Sequence, residues 1–251
     1  WEDCRIFKKV LMMDKNIPVD LLDFYSNTKK YIGADNEKIL CNIFNTIPSS
    51  FNNNEFWRIF YYIGKYISAS SICELGVLNG YSLIALAFGD LSEGGKKKIF
   101  GYDLFDDYPF NRGSKEGLDV LINKFNIDNI ELIKRNLVDE NYKVKLPMEA
   151  GIYVIDLSNC GEILSSSLKQ INWEKTKLVI FEGGSIDRDT IPWMVKYKRK
   201  PIYTYLEEIN EDYFIYISNK FPSLTFVFKE DYRKEFGSFF DIKMEKLCKN
   251  M

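Results

Sequence analysis

The sequence predicts a doubly wound α/β fold, in which a mostly parallel sheet is covered by helices on both faces. Short apolar segments alternate with helical segments between residues 71 and 197, which is the pattern of consecutive β-α-β units. One of these segments, residues 152–155, is continuously apolar, as a parallel strand buried on both faces requires. The last two apolar segments, residues 213–218 and 224–229, are separated by a short polar stretch, which is typical of an antiparallel hairpin.

The elements follow in order along the chain. Residues 1–50 carry interrupted helical patterns, divided by Pro18 and Gly33, and predict a helical extension that serves as a lid or as an arm for homo-oligomerisation. Apolar residues then recur at helical spacing over residues 55–67. The five predicted parallel strands are 71–75, 98–103, 130–134, 151–157 and 178–182, and the helices between and after them are 81–88, 115–125, 163–171 and 190–197. We assign residues 51–251 to one domain.

Composition excludes several classes of protein. The 34 basic and 36 acidic side chains nearly cancel, so the chain has no overall positive field that would favour a nucleic-acid partner. No apolar stretch is long enough to span a membrane, and residues 1–15 lack the apolar run of a signal peptide, so we expect a cytoplasmic protein. The five scattered cysteines form neither a disulfide framework nor a zinc motif.

A glycine-bearing turn follows the first predicted strand, where the sequence reads Glu-Leu-Gly-Val-Leu-Asn-Gly-Tyr-Ser over residues 74–82. Gly76 removes the Cβ that would keep a ligand away from the backbone, and Gly80 lets the turn enter a helix with its N–H groups facing a ligand. Glu74 can accept hydrogen bonds from an ammonium group, directly or through water. The Gly-x-x-x-Gly spacing is neither that of a dinucleotide fingerprint nor that of a phosphate-binding loop.

A second carboxylate, Asp103, ends the second predicted strand. A carboxylate at this place, about twenty residues past the turn, can bind both hydroxyl groups of a ribose. Each feature alone has a simpler explanation, since glycine turns recur in many α/β folds and a strand-end Asp often forms a turn. Together they predict a nucleoside site, with Glu74 and the turn at an amino-acid end and Asp103 at the sugar.

These motifs, together with Ile155-Asp156 and the strand pattern, resemble those of the class I S-adenosylmethionine-dependent methyltransferases across roughly residues 55 to 230. The resemblance implies a seven-stranded sheet of order 3-2-1-4-5-7-6 and a small-molecule O-methyltransferase that acts on saccharides or natural products. It also implies that S-adenosylmethionine is the cofactor, bound by Glu74, Gly76, Gly80, Ser82, Asp103, Leu104, Asn136 and Asp156. In this arrangement adenine lies near Asn136, and the polar loop that begins at Leu104 covers the ribose.

The sequence departs from the metal-dependent members of this family. They bind a divalent cation with an Asp after the fourth strand and an Asp-Asn pair after the fifth. In this sequence Asp156 stands after the fourth predicted strand, but Glu182 and Gly183 stand in place of the Asp-Asn pair. Oxygen ligands from Asp156, Glu182 and Asp187 or Asp189 would suit magnesium or calcium. Because one family ligand is absent, we expect no metal, with Asp156 and Glu182 capping strand ends instead.

The catalytic base must be a carboxylate, because the chain contains no histidine. Asp156 and Glu182 are the first candidates, since ligands of open α/β sheets bind at the strand ends, and Arg188 could orient an acceptor. The basic residues 196–200 could meet an anionic substrate such as a nucleotide sugar, or form a solvated helix end.

The sequence is also compatible with two other functions. One is a nucleotide-sugar or NAD-binding enzyme, and the other is a non-catalytic protein that binds a nucleoside or assembles with a partner through residues 1–50.

Overall fold

The computed structural model describes residues 16–19, 34–108, 113–158, 160–185, 192–206, 213–218 and 222–232. Its one sheet contains β1 (Asn16–Val19), β2 (Ser71–Leu75), β3 (Lys98–Asp103), β4 (Ile130–Lys134), β5 (Ile152–Ile155), β6 (Leu178–Glu182), β7 (Tyr213–Ser218) and β8 (Leu224–Lys229). The order across the sheet is β1-β7-β8-β6-β5-β2-β3-β4. Strands β2 to β6 are parallel, whereas β8 is antiparallel to both β6 and β7. Without β1, this is the predicted seven-stranded order, which is therefore confirmed.

The eighth strand, β1, is a difference from the prediction, because the extension was expected to be helical. It pairs in parallel with β7, from Asn16 opposite Ile215 to Val19 opposite Ser218. Pro18, which we interpreted as a break between helices, is compatible with an edge strand, where one row of backbone groups needs no strand partner. The helical patterns predicted for residues 1–15 and 20–33 lie outside the described residues.

Five of the seven described α-helices overlap intervals in which the sequence predicted a helix. The seven helices are α1 (Ala34–Thr46), α2 (Trp57–Tyr66), α3 (Tyr81–Leu91), α4 (Lys115–Lys124), α5 (Gly161–Leu168), α6 (Pro192–Tyr197) and α7 (Ile202–Leu206). The short helix α7 was not predicted, because five residues are too few to show a helical period. None of the described helices is long and apolar enough to cross a membrane.

The sheet separates two apolar layers, so helices cover both of its faces. Ile72 belongs to the layer that contains Phe44 of α1 and Phe60 of α2, whereas the next residue of the same strand, Cys73, belongs to the layer that contains Ile163 of α5. This alternation is the side-chain period of a strand. Helix α1 thus packs into the same core as the sheet, while the predicted domain boundary at residue 50 stays a prediction.

Candidate active site at the carboxyl edge of the sheet

The predicted site residues follow strands that end at the same edge of the sheet. Leu75 of β2 pairs with Tyr102 of β3 on one side and with Ile155 of β5 on the other. The chain order reverses between β2 and β5, and open α/β sheets bind ligands in the crevice outside such a switch point. The carboxylates of Glu74, Asp103, Asp156 and Glu182 therefore belong to the ends of four adjacent strands.

Gly76 is required by the contact between two strand ends. Its φ is +87°, and a Cβ built on it would lie 2.1 Å from the carbonyl oxygen of Asp156. The amide of Asp156 donates to the carbonyl of Leu75 at 2.8 Å, which holds the two strand ends together. We expected Gly76 to make room for a ligand, but the room that it leaves is filled by the backbone that directly follows β5. This backbone contact joins residues 80 positions apart, so it was not visible in the sequence.

Gly80 marks the entry into α3. Its φ is +79°, and its amide donates to the carbonyl of Val77 at 2.8 Å, which closes the turn. A Cβ on Gly80 would lie 2.4 Å from a methyl group of Leu118 on α4. The glycine thus satisfies both the left-handed backbone and the close approach of α4.

Asp103 is buried and organises the turn from the neighbouring strand. Its Oδ2 accepts hydrogen bonds from the amides of Val77 at 2.6 Å and Leu78 at 2.8 Å, and its Oδ1 accepts one from Phe105 at 2.8 Å. We expected the turn amides to face a ligand, but those of Val77 and Leu78 face Asp103. A carboxylate offers about four acceptor positions, so these three bonds leave little capacity for a ribose. The ribose contact stays a prediction.

Glu74 is completely buried behind the turn. Its Oε1 accepts a hydrogen bond from the hydroxyl of Ser82 in the first turn of α3. Its Oε2 has no hydrogen-bond partner among the described residues. Burial raises the pKa of Glu74 to about 8, although the Ser82 bond opposes this and the nearby Asp103 adds to it. A hydrogen-bond donor beside Oε2 would stabilise the charged form.

Leu104 and Asn136, the residues expected at the ribose and adenine, follow the ends of two paired strands. Leu104 directly precedes the 3-10 turn Phe105–Asp107 and is partly buried. Asn136 is exposed, and its Oδ1 accepts the amide of Val138 at 3.1 Å. The strands are joined here by the amide of Arg135, which donates to the carbonyl of Asp103 at 2.9 Å. Contact of either residue with a cofactor stays a prediction, and residues 109–112 of the loop lie outside the described residues.

The two candidate bases come next to each other along the sheet edge. Asp156 and Glu182 each follow the register pair Ile155–Phe181 by one residue, and both are partly buried. Within the described part of the chain, no group of three His, Cys, Asp or Glu side chains could hold a metal ion. Asp187, Arg188 and Asp189 lie outside the described residues.

The structure adds polar groups that the sequence did not point to. Among the buried atoms to which the described residues offer no hydrogen-bond partner are Ser158 Oγ, Glu162 Oε2 and Arg199 Nε. The Arg199 guanidinium also lies on the ring of Tyr142, with 3.5 Å from its Cζ to the ring centroid. Nothing local in the sequence links residues 142 and 199, because only the fold brings their loops together.

Solved structures similar to this chain include two described as methyltransferases and one cofactor-bound protein. The chain is similar to the methyltransferase PaMTH1 of Podospora anserina, solved with SAH bound, at 16% identity over 86% of this chain and 89% of that one, with a TM-score of 0.51. A candidate O-methyltransferase from Klebsiella pneumoniae is 12% identical over 84% and 96% of the two chains, with a TM-score of 0.52. Cofactor-bound Rv0187 from MTB is 12% identical over 76% and 88%, with a TM-score of 0.51.

The similarity to known proteins is found by comparing structures and not by comparing sequences. The sequence matches no protein-family model, and it matches no curated protein. At 12% to 16% identity, the likeness to solved structures establishes the fold. The strand order, the hairpin ending and these neighbours together show that the chain has the Rossmann-like fold of the class I methyltransferases.

Proposed function

We propose that the chain is an S-adenosylmethionine-dependent methyltransferase that acts on a hydroxyl group of a small molecule, such as a saccharide or a natural product. The observation that carries the proposal is the pair of carboxylates, Glu74 and Asp103, at the ends of adjacent strands around one left-handed glycine turn. The pair lies beside the switch point of the sheet, where this architecture binds ligands. Fold alone would not assign an activity, so the argument depends on these residues.

The environment of Glu74 fits a cofactor that carries an ammonium group. Glu74 Oε2 is buried without a partner, and an ammonium group is a donor that it could accept, directly or through water. In the proposed arrangement Asp103 uses its remaining acceptor capacity for the ribose, and Leu104 and Asn136 border the adenine. When bound, S-adenosylmethionine supplies a methyl group that is activated by a positively charged sulfur.

The protein's own contribution to catalysis would then be positioning and proton removal. Methyl transfer to a hydroxyl gains most from holding the acceptor oxygen close to the methyl group and in line with it. Asp156 and Glu182 are the proposed bases for the hydroxyl proton, because Asp156 directly follows β5 and Glu182 ends β6, the two strands beyond β2 at the same edge. A positioned base contributes roughly a hundredfold or more to the rate.

Ligand binding tests the proposal without knowledge of the acceptor. The full chain is titrated calorimetrically with S-adenosylmethionine, S-adenosylhomocysteine, NAD and UDP-glucose, and its thermal midpoint is measured with each. We expect the two adenosyl amino acids to bind and to raise the midpoint, because a ligand that binds only the folded state stabilises it. Stabilisation by NAD or UDP-glucose alone would favour the nucleotide-binding alternative and reject the proposal.

A pair of asparagine variants locates the bound ligand. Asn136→Ala should weaken S-adenosylhomocysteine binding about tenfold, which corresponds to about 1.4 kcal/mol. Asn141→Ala is the control, because Asn141 is exposed in the same loop and its side chain has no predicted role. Equal affinities of the two variants would remove Asn136 from the cofactor site.

A further inference from the structure

Arg199 is a cation with an unusual environment. The sequence allowed residues 196–200 to be a solvated helix end, but Arg199 is partly buried and lies flat against Tyr142, with 3.5 Å from its Cζ to the ring centroid. Its Nε is enclosed and has no hydrogen-bond partner among the described residues. No carboxylate of the described chain lies within ion-pair distance of it, although the structure pairs Arg58, Lys97 and other cations.

This geometry leaves the N–H donors at the edge of the guanidinium available for a ligand. Stacking on an aromatic ring occupies the face of the group, whereas its N–H donors lie in its plane and match the two oxygens of a carboxylate or phosphate. A buried donor without a partner is destabilising, and a charged one is more so. An anionic ligand in the plane of Arg199 would remove this cost.

The backbone next to Arg199 lies against the loop that follows β5. The carbonyl of Lys200 accepts the amide of Gly161 at 2.8 Å, and Pro201 forms an isolated β-bridge with Cys160. The loop that follows β5 begins with Asp156, the proposed base. Two buried atoms without partners in the described residues lie in this loop and in the first turn of α5: Ser158 Oγ and Glu162 Oε2.

Tyr142 connects Arg199 to the proposed cofactor residues. The segment that carries Tyr142 follows β4 and begins at Arg135, whose amide donates to the carbonyl of Asp103 at 2.9 Å. Asp103 in turn holds the glycine turn. The stacked pair thus belongs to the same edge of the sheet as the cofactor residues and the candidate bases.

We propose that Arg199 binds an anionic group, a carboxylate or a phosphate, on the methyl acceptor. This deepens the proposed function and rests on it, because it names the class of acceptor. Lys198 and Lys200, which flank Arg199 in the chain, are both exposed, so Arg199 is the enclosed cation of the three.

Simple anions test this without the true acceptor. Benzoate, inorganic phosphate and the neutral benzamide are titrated into the full chain at constant ionic strength, in the presence of S-adenosylhomocysteine, and binding is followed by calorimetry. We expect benzoate or phosphate to bind, with the stronger of the two identifying the group, and benzamide to bind at least tenfold more weakly than that anion. Equal binding of benzoate and benzamide, with no phosphate binding, would overturn the proposal.

Three variants assign the effect to the residue. Arg199→Gln should weaken anion binding at least tenfold, and Arg199→Lys should fall between it and the wild type, because lysine keeps the charge but loses the planar donors. Lys198→Gln removes the same charge from the exposed neighbouring residue and should bind anions as the wild type does. Unchanged anion binding in Arg199→Gln, or an equal loss in Lys198→Gln, would contradict a specific role of Arg199.

The binding of S-adenosylhomocysteine separates the two proposals. If Arg199→Gln binds it as the wild type does, the variant is folded, and a loss of anion binding is local. If the wild type does not bind it while anion binding still depends on Arg199, the methyltransferase proposal fails and the anion site stands.

Discussion

The two halves of the sheet edge differ in how their polar groups are satisfied. Around β2 and β3, Asp103 accepts hydrogen bonds from three backbone amides, and Ser82 donates one to Glu74. Among the oxygens of these two carboxylates, only the second oxygen of Glu74 lacks a partner in the described residues. After β5 and α6, Ser158, Glu162 and Arg199 each keep a buried polar atom without a partner in the described chain. The first half is organised before any ligand binds, whereas the second retains capacity for hydrogen bonds. The proposed function requires such a division, with an organised half for the cofactor and a half with free hydrogen-bonding capacity for the acceptor.

The largest effect is expected from Gly76→Ala, because the organised half has no space for a Cβ. The added carbon would meet the Asp156 carbonyl at 2.1 Å and would force alanine to a φ of +87°. Overpacking and the left-handed backbone together should lower the free energy of unfolding by about 3 kcal/mol or more, measured by urea denaturation.

Gly94→Ala is the matched control for this substitution. Gly94 has a φ of +96°, but nothing lies within 4 Å of the added Cβ. Its cost should therefore be the backbone strain alone, about 1 kcal/mol. If both variants lose the same stability, the contact between β2 and β5 is not what requires Gly76.

Asp103→Asn should have the next largest effect. An asparagine places an NH2 group against a backbone amide that now donates to a carboxylate oxygen, so at least one buried donor loses its acceptor. We expect a loss of about 2 kcal/mol in urea denaturation and weaker binding of S-adenosylhomocysteine. Asp119→Asn, which removes an exposed partner of Lys115, should change stability by less than about 0.5 kcal/mol. Unchanged cofactor affinity in Asp103→Asn would count against the proposed ribose contact.

The pH dependence of stability probes the one unsatisfied oxygen of the organised half. The pKa of Glu74 is about 8 in the folded protein and about 4.5 in the unfolded chain, so the folded state binds more protons between these values. Its contribution to stability is therefore complete below pH 4.5 and is lost as the pH rises towards 8, by at most about 1.4 kcal/mol per pH unit. Glu74→Gln does not titrate, so its stability relative to the wild type should rise over this range in urea denaturations at several pH values. If the stabilities of the two proteins change in parallel with pH, the pKa of Glu74 is not raised in the folded protein.

The smallest effects come from a pair of serines that differ in their partners. Ser82→Ala removes the hydroxyl that donates to Glu74 and should cost about 1 kcal/mol. Ser158→Ala removes a hydroxyl without a partner in the described residues, so stability should change by less than about 0.5 kcal/mol or increase. Thermal or urea denaturation of both variants suffices. An equal loss in the two would mean that Ser158 has a structural partner and that the halves do not differ in this way.

Much of the fold could be predicted, since seven of the eight described strands and most of the described helices have a local signature. The apolar segments and the hairpin spacing placed β2 to β8, and the helical period over residues 55–67 placed α2. The strand β1 was missed because four residues with a proline carry no distinctive period, and only the β7 edge makes them a strand. The candidate residues were found because they end or directly follow the apolar segments that predict strands; they are Glu74, Asp103, Asp156 and Glu182.

The sequence by itself determined the order of elements, the positions of the glycine turn and the carboxylates at the strand ends, because these depend on local periodicity and residue type. The tertiary structure alone decided what those groups contact: that Gly76 faces the Asp156 backbone, that Asp103 holds the turn, and that Arg199 lies on Tyr142. Such contacts join residues far apart in the chain. Their geometry is set by the packing of strands and loops, which no local pattern encodes.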